Sequence, residues 1–200
     1  EIPSRSAIKD FILTNTAGFG TALNYYENGE LKRDETPIYR IVENKEYILQ
    51  NYYTIELQRI TQKYKPGRAN WYYASFGEEI TKLMQEAVIK YGLKQGDEAL
   101  QQSIDSIIKL FEMTGGSTAA YNYIHIEVTG SDNDQGHIRT ADVHSSYSSD
   151  ISSIIAAYTV KALVEKQPDF GIHYAMDIVD LKTVIHDLPQ LNIDLVLTDQ

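Results

Sequence analysis

The chain has no cysteine. That absence excludes disulfide staples, thiolate metal ligands and cysteine nucleophiles together. Positive charge is scarce: 18 Lys and Arg stand against 28 Asp and Glu, for a formal net charge of −10. A surface of that sign repels nucleic-acid phosphates and anionic lipid, so neither is an expected partner. Apolar runs are short, and none approaches the roughly 18 residues a membrane-spanning helix needs. The chain opens on Glu1 rather than Met and carries no signal-peptide pattern. These absences fit a cytoplasmic protein, read here as a fragment of a longer chain.

Catalytic signatures are also missing. Gly18-Phe19-Gly20 lacks the third glycine and the following helix of a dinucleotide fingerprint and reads as a turn or bulge. No Gly-x-Ser-x-Gly elbow accompanies the serines at 145–149, which read as helix caps. Asp132 and Asp134 sit in a polar loop without the glutamate that completes a calcium loop. His125, His137, His144, His173 and His186 show no His-Glu-x-x-His spacing, so no metal is expected.

What is present is tyrosine, 15 residues of it, whose large ring and polar tip suit half-wet strands and binding surfaces. With 42% apolar residues, the 200-residue chain can fill the core of one domain. Residues 11–14 read as a short strand. Asn28-Gly29 is a hairpin turn, since both positions of a type I′ turn need positive φ. Strands follow at 38–42 and 47–53, with a turn at 43–45. Residues 55–64 read as extended chain, Pro66-Gly67 as a reversal, and 70–76 as a strand, so the first 76 residues form an antiparallel meander.

Two amphipathic helices come next. Ile80, Leu83, Met84, Ala87, Val88 and Tyr91 mark one face of the first, which stops at Gly92. Leu100, Ile104, Ile107, Ile108 and Phe111 mark the second, which Gly115-Gly116 ends; residues 94–96 connect the pair. After a hairpin, a helix carries Ile151, Ile154, Ile155, Tyr158, Ala162 and Leu163, closed by Pro168 and Gly171. A strand over 172–178, a short helix capped by Asp180 and ended by Pro189, and a last strand over 193–197 complete the chain. The sum is an α+β fold: a mostly antiparallel sheet with helices packed on one face.

The hairpin organises the candidate site. Ile124, Ile126 and Val128 alternate with Tyr123, His125 and Glu127. A polar turn spans 130–136, with a glycine at each end. The chain returns with Ile138, Thr140 and Asp142 on one face and Arg139, Ala141 and Val143 on the other. A register pairing Val128 with Ile138 sets Glu127 opposite Arg139. Such a pair is either a surface ion pair or an arginine fork offered to a ligand carboxylate. Tyr123, His125, Glu127, Arg139 and His173 are thus the candidate ligand-binding residues.

The run Ile126-Glu127-Val128-Thr129-Gly130, the return Gly136-His137-Ile138-Arg139, the helix over 149–166 with Ala156-Ala157, and Phe170-Gly171-Ile172-His173 together resemble the C-terminal domain of the saccharopine dehydrogenase-like family. The resemblance covers residues 124–189. It implies an NAD(P)-dependent oxidoreductase acting on an amino-acid-like small molecule. This chain would be the substrate-binding and dimerisation part, a homodimer inactive without its dinucleotide-binding domain. No catalytic residue is carried over by it. The alternative from the residues alone is a self-contained, non-enzymatic ligand- or protein-binding domain.

Overall fold

The computed structural model describes residues 2–16, 19–42, 45–74, 78–93, 96–113, 122–132, 135–147 and 149–199. The expected turn at Glu43 and Asn44, the connection at 94–95, the Gly115-Gly116 stop and the centre of the hairpin loop at 133–134 lie outside them. Every described strand pair is antiparallel, and helices bury the cores, so the fold is α+β. The sequence reads as one domain; contacts divide the chain into two compact units, Ile2–Gly116 and Ser117–Gln200.

The first unit opens with helix α1 (Arg5–Thr16), where a short strand at 11–14 was expected. Helical spacing wins because it turns Ile8 and Ile12 to one side, and both are fully buried. The Ser4 hydroxyl accepts the Ala7 amide at 3.1 Å and caps the start. Strands β1 (Gly20–Ala22), β2 (Asn24–Glu27), β3 (Glu30–Arg33), β4 (Ile38–Val42) and β5 (Lys45–Thr54) follow. The β2–β3 turn is the expected one, with φ of 50° at Asn28 and 91° at Gly29. A kink at Leu23, φ 62°, separates β1 from β2.

Residues 55–64, expected to be extended, are helix α2 (Ile55–Tyr64). Its cap explains the change: Thr54 Oγ1 accepts the Leu57 amide at 3.0 Å, and Lys65 ends it in the left-handed region. Leu57 and Thr61 are buried, and Thr61 Oγ1 lies 2.8 Å from the Tyr53 hydroxyl. A helix therefore precedes the meander and a second one interrupts it. Strands β6 (Arg68–Ala69) and β7 (Tyr72–Ala74) pair with β2 and β5. Helices α3 (Glu78–Gly92) and α4 (Gly96–Met113) carry the expected stripes. Ile80, Met84 and Ala87 meet Leu100, Ile104, Ile107 and Phe111, with Ile8 and Ile12 of α1 completing the core. Each fully buried isoleucine contributes about 1.5–3 kcal/mol.

The second unit holds β8 (Asn122–Asp132), β9 (Gln135–Ser145), α5 (Asp150–Lys166), α6 (Ala175–Ile178), α7 (Leu181–Asp187) and β10 (Asp194–Asp199). Its sheet order is β10-β9-β8. Helix α5 packs through Ile151, Ile154, Ile155, Tyr158 and Ala162 against Val143 and Leu195 of the sheet and against Ile178, Val184 and Ile193. Leu163, expected on that stripe, is exposed. The expected strand over 172–178 is not formed: residues 172–174 are irregular and 175–178 are α6. Among the described residues no strand pairs with this segment, and Lys166 Nζ instead donates to the Ile178 carbonyl at 2.8 Å. Asp180 caps α7 as expected, accepting the Lys182 amide at 3.1 Å. The α7 helix stops at Asp187, just before Pro189 as expected, and Pro189 itself lies in a short 3-10 turn (Leu188–Leu191). Among the described residues no helix is long and apolar enough to cross a membrane.

Candidate functional site

The β8–β9 register decides which side chains meet. Ile124 pairs with Val143, Ile126 with Ala141, Glu127 with Thr140 and Val128 with Arg139. This is one residue away from the expected register, and it overturns the Glu127–Arg139 pair. The reason is apolar matching: the observed pairing seats Ile124 and Ile126 beside Val143 and Ala141, whereas the expected one faced them with Asp142 and Thr140. The expected polar turn over 130–136 is correspondingly shorter, since Gly130 pairs with His137 and the ladder runs out to Asp132 with Gln135.

Two chemically distinct faces result. One carries Ile124, Ile126, Val128, Arg139, Ala141 and Val143, continued on β10 by Leu195, Leu197 and Asp199. Its inner end is the α5 core. The other carries Tyr123, His125, Glu127, Thr140, Asp142 and His144, continued by Asp194, Val196 and Thr198. The second face is the candidate site.

Its centre is Asp142. The Tyr123 hydroxyl donates to Asp142 Oδ1 at 2.5 Å, and His125 Nδ1 lies 2.7 Å from the same oxygen. These contacts follow from the register, which sets His125 directly opposite Asp142 and Tyr123 on the diagonal. The Tyr123 hydrogen bond, then that of His125, holds the Asp142 carboxyl below its ordinary range. In return, the carboxylate, helped by partial burial, pushes the Tyr123 phenol up to about 12. Beside this group, His144 Nδ1 stands 4.0 Å from Asp194 Oδ2. The cluster sets hydrogen-bond donors, acceptors and an imidazole side by side on one sheet face.

Of the five residues picked from sequence, Tyr123, His125 and Glu127 share this face. Arg139 does not. It lies on the opposite face, and its Nε and Nη2 each lie 3.1 Å from Asp199 Oδ2 of β10. That carboxylate takes the role imagined for a ligand. His173 is also apart: it lies in the irregular stretch before α6, with Nε2 2.6 Å from the Asp169 carbonyl. Sequence reasoning missed Asp142, although matching the apolar residues of the two strands would have found it.

Among the described residues no group of His, Asp or Glu side chains is placed to hold a metal ion. The described strands contain no parallel pair, and a dinucleotide fold is built on parallel βαβ units. No protein-family model matches the chain, and no curated protein matches it.

Proposed function

We propose that this chain is the substrate-binding and dimerisation part of a cytoplasmic, saccharopine dehydrogenase-like NAD(P)-dependent oxidoreductase acting on an amino-acid-like substrate. The observation that supports this reading is the convergence of Tyr123 and His125 on Asp142, on the sheet face turned away from the α5 core. An imidazole and a phenol fixed by one carboxylate suit a ligand that carries both hydrogen-bond donors and an exchangeable proton. The cofactor would be bound by a further domain, and the chain by itself would be inactive. Arg139 is not part of the proposed site.

The test is solution mass and thermal melting of the chain, with and without NAD(P) and a panel of amino acids. A dimer stabilised by an amino acid and indifferent to dinucleotide is expected. Ligand stabilisation follows mass action, about 2.7 kcal/mol at a hundredfold excess over Kd. A monomer indifferent to the whole panel overturns the reading. A second reading, a non-enzymatic protein-binding unit, is favoured by one observation: Ile126, Val128 and Leu197 lie beyond the α5 core and are 50%, 60% and 61% exposed.

A further inference from the structure

We infer that Asp142 is a positioning residue: it holds His125 with a proton on Nδ1 and leaves Nε2 as the proton acceptor that this sheet face offers to a ligand ammonium or hydroxyl. The inference rests on the reading of this face as the substrate site. It follows by elimination from two contacts on one oxygen. Asp142 Oδ1 lies 2.5 Å from the Tyr123 hydroxyl and 2.7 Å from His125 Nδ1. An ionised carboxylate only accepts hydrogen bonds. Both neighbours must then donate, so Tyr123 is a neutral phenol and His125 carries its proton on Nδ1. In the neutral ring, Nε2 keeps its lone pair.

The surroundings keep this arrangement in place. The carboxyl of Asp142 is held below its ordinary range by the two hydrogen bonds it accepts, so it stays ionised at neutral pH. The other titratable groups on the face are Glu127 of β8, His144 of β9 and Asp194 of β10. His144 Nδ1 stands 4.0 Å from Asp194 Oδ2. His125 is 45% exposed at its side chain, so a ligand can reach the ring. The step itself moves one proton. The ligand N–H or O–H bond gives its proton to Nε2, the ligand keeps the electron pair, and the imidazolium formed is balanced by Asp142.

The test uses the whole chain with isotopically labelled histidine. Two-bond nitrogen–proton correlations above neutral pH report which ring nitrogen is protonated, and His125→Gln identifies the signal. A protonated Nδ1 and a bare Nε2 are expected in the unmodified chain, and in Tyr123→Phe as well. The opposite tautomer in the unmodified chain overturns the inference, with no variant needed. Asp142→Ala should move the proton toward Nε2 and slow carbethoxylation of His125 by diethyl pyrocarbonate severalfold; an unchanged tautomer and rate also overturn it. The two readings fail separately. If no amino acid of the panel stabilises the chain, the substrate reading falls while the tautomer result stands. If an amino acid binds and the tautomer is reversed, only the role of Asp142 falls.

Discussion

Replacing Tyr123 by phenylalanine removes one hydroxyl and leaves the ring, so it isolates the bond to Asp142. A hydrogen bond to a charged acceptor contributes about 1.5–3 kcal/mol when well shielded. Here Tyr123 is 38% exposed and the Asp142 side chain 31% exposed. Solvent screening reduces the expected loss to about 1 kcal/mol. For a unit the size of Ser117–Gln200 that is a fall in Tm of about 4–8 °C. The pH dependence carries a sign. The folded protein holds the phenolic proton up to about 12, against 10.0 for an unperturbed tyrosine. The contribution is therefore complete below about pH 10 and is lost as pH rises through about 12. Denaturant melts of the two proteins should differ at neutral pH and converge across that alkaline window. Tyrosinate absorbance should show a late-titrating phenol that Tyr123→Phe removes. Parallel melts at every pH, with no late phenol lost, would refute the bond.

Other substitutions probe the fold and the site. At Gly20 an added Cβ would meet Tyr52 Cε1 at 2.5 Å and the Tyr53 carbonyl oxygen at 2.6 Å; the ring can turn but the backbone cannot. Gly20→Ala should cost about 1–3 kcal/mol in a denaturant melt. Thr54→Ala removes the α2 cap and should cost about 1 kcal/mol, read also as faster amide exchange at Leu57. Arg139→Ala breaks a pair whose side chains are 73% and 61% exposed. It should cost at most about 1 kcal/mol and leave amino-acid stabilisation unchanged, while strongly weakened binding would return Arg139 to the site.

Legibility followed the length and regularity of the signal. Helices α3, α4 and α5 were readable because their stripes repeat over several turns, and helical period is the only pattern that buries Ile104, Ile107 and Phe111 together. Asn28-Gly29 was readable because few dipeptides tolerate positive φ at both positions. The misses are short segments rich in β-branched and aromatic residues. Phe11-Ile12-Leu13 and Ile55–Tyr64 have strand-like composition, but capping by Ser4 and Thr54 and burial against neighbours override it. Residues 172–178 alternate as a strand does, yet strand pairing needs a partner edge, which local pattern does not report.

The hairpin shows how much of a site can hang on one residue of register. Both strands and their internal alternation were readable, and Tyr123, His125 and Glu127 were placed on one face. Side chains in a strand alternate with period two, so a one-residue slip exchanges the whole facing set. Under the slipped pairing, Arg139 would stand among the polar residues and Asp142 among the isoleucines. The observed pairing reverses both placements, setting Arg139 beside Asp199 and Asp142 beside His125. The outcome is decided by a few apolar contacts, Ile124 with Val143 and Ile126 with Ala141, that carry no chemistry themselves. A double substitution makes the point measurable. Exchanging Ala141 for Asp and Asp142 for Ala leaves composition intact but makes the slipped register the better apolar match on paper. If register is set by burial, the strand amides should change partners; the slip sets the carboxylate of Ala141→Asp opposite His125, so Tyr123 stays late-titrating, whereas an unchanged pairing loses that late phenol. If the Tyr123–Asp142 and His125–Asp142 bonds set register instead, single Asp142→Ala should shift the pairing by itself. Cross-strand nuclear Overhauser contacts between Tyr123 and His144 distinguish the two.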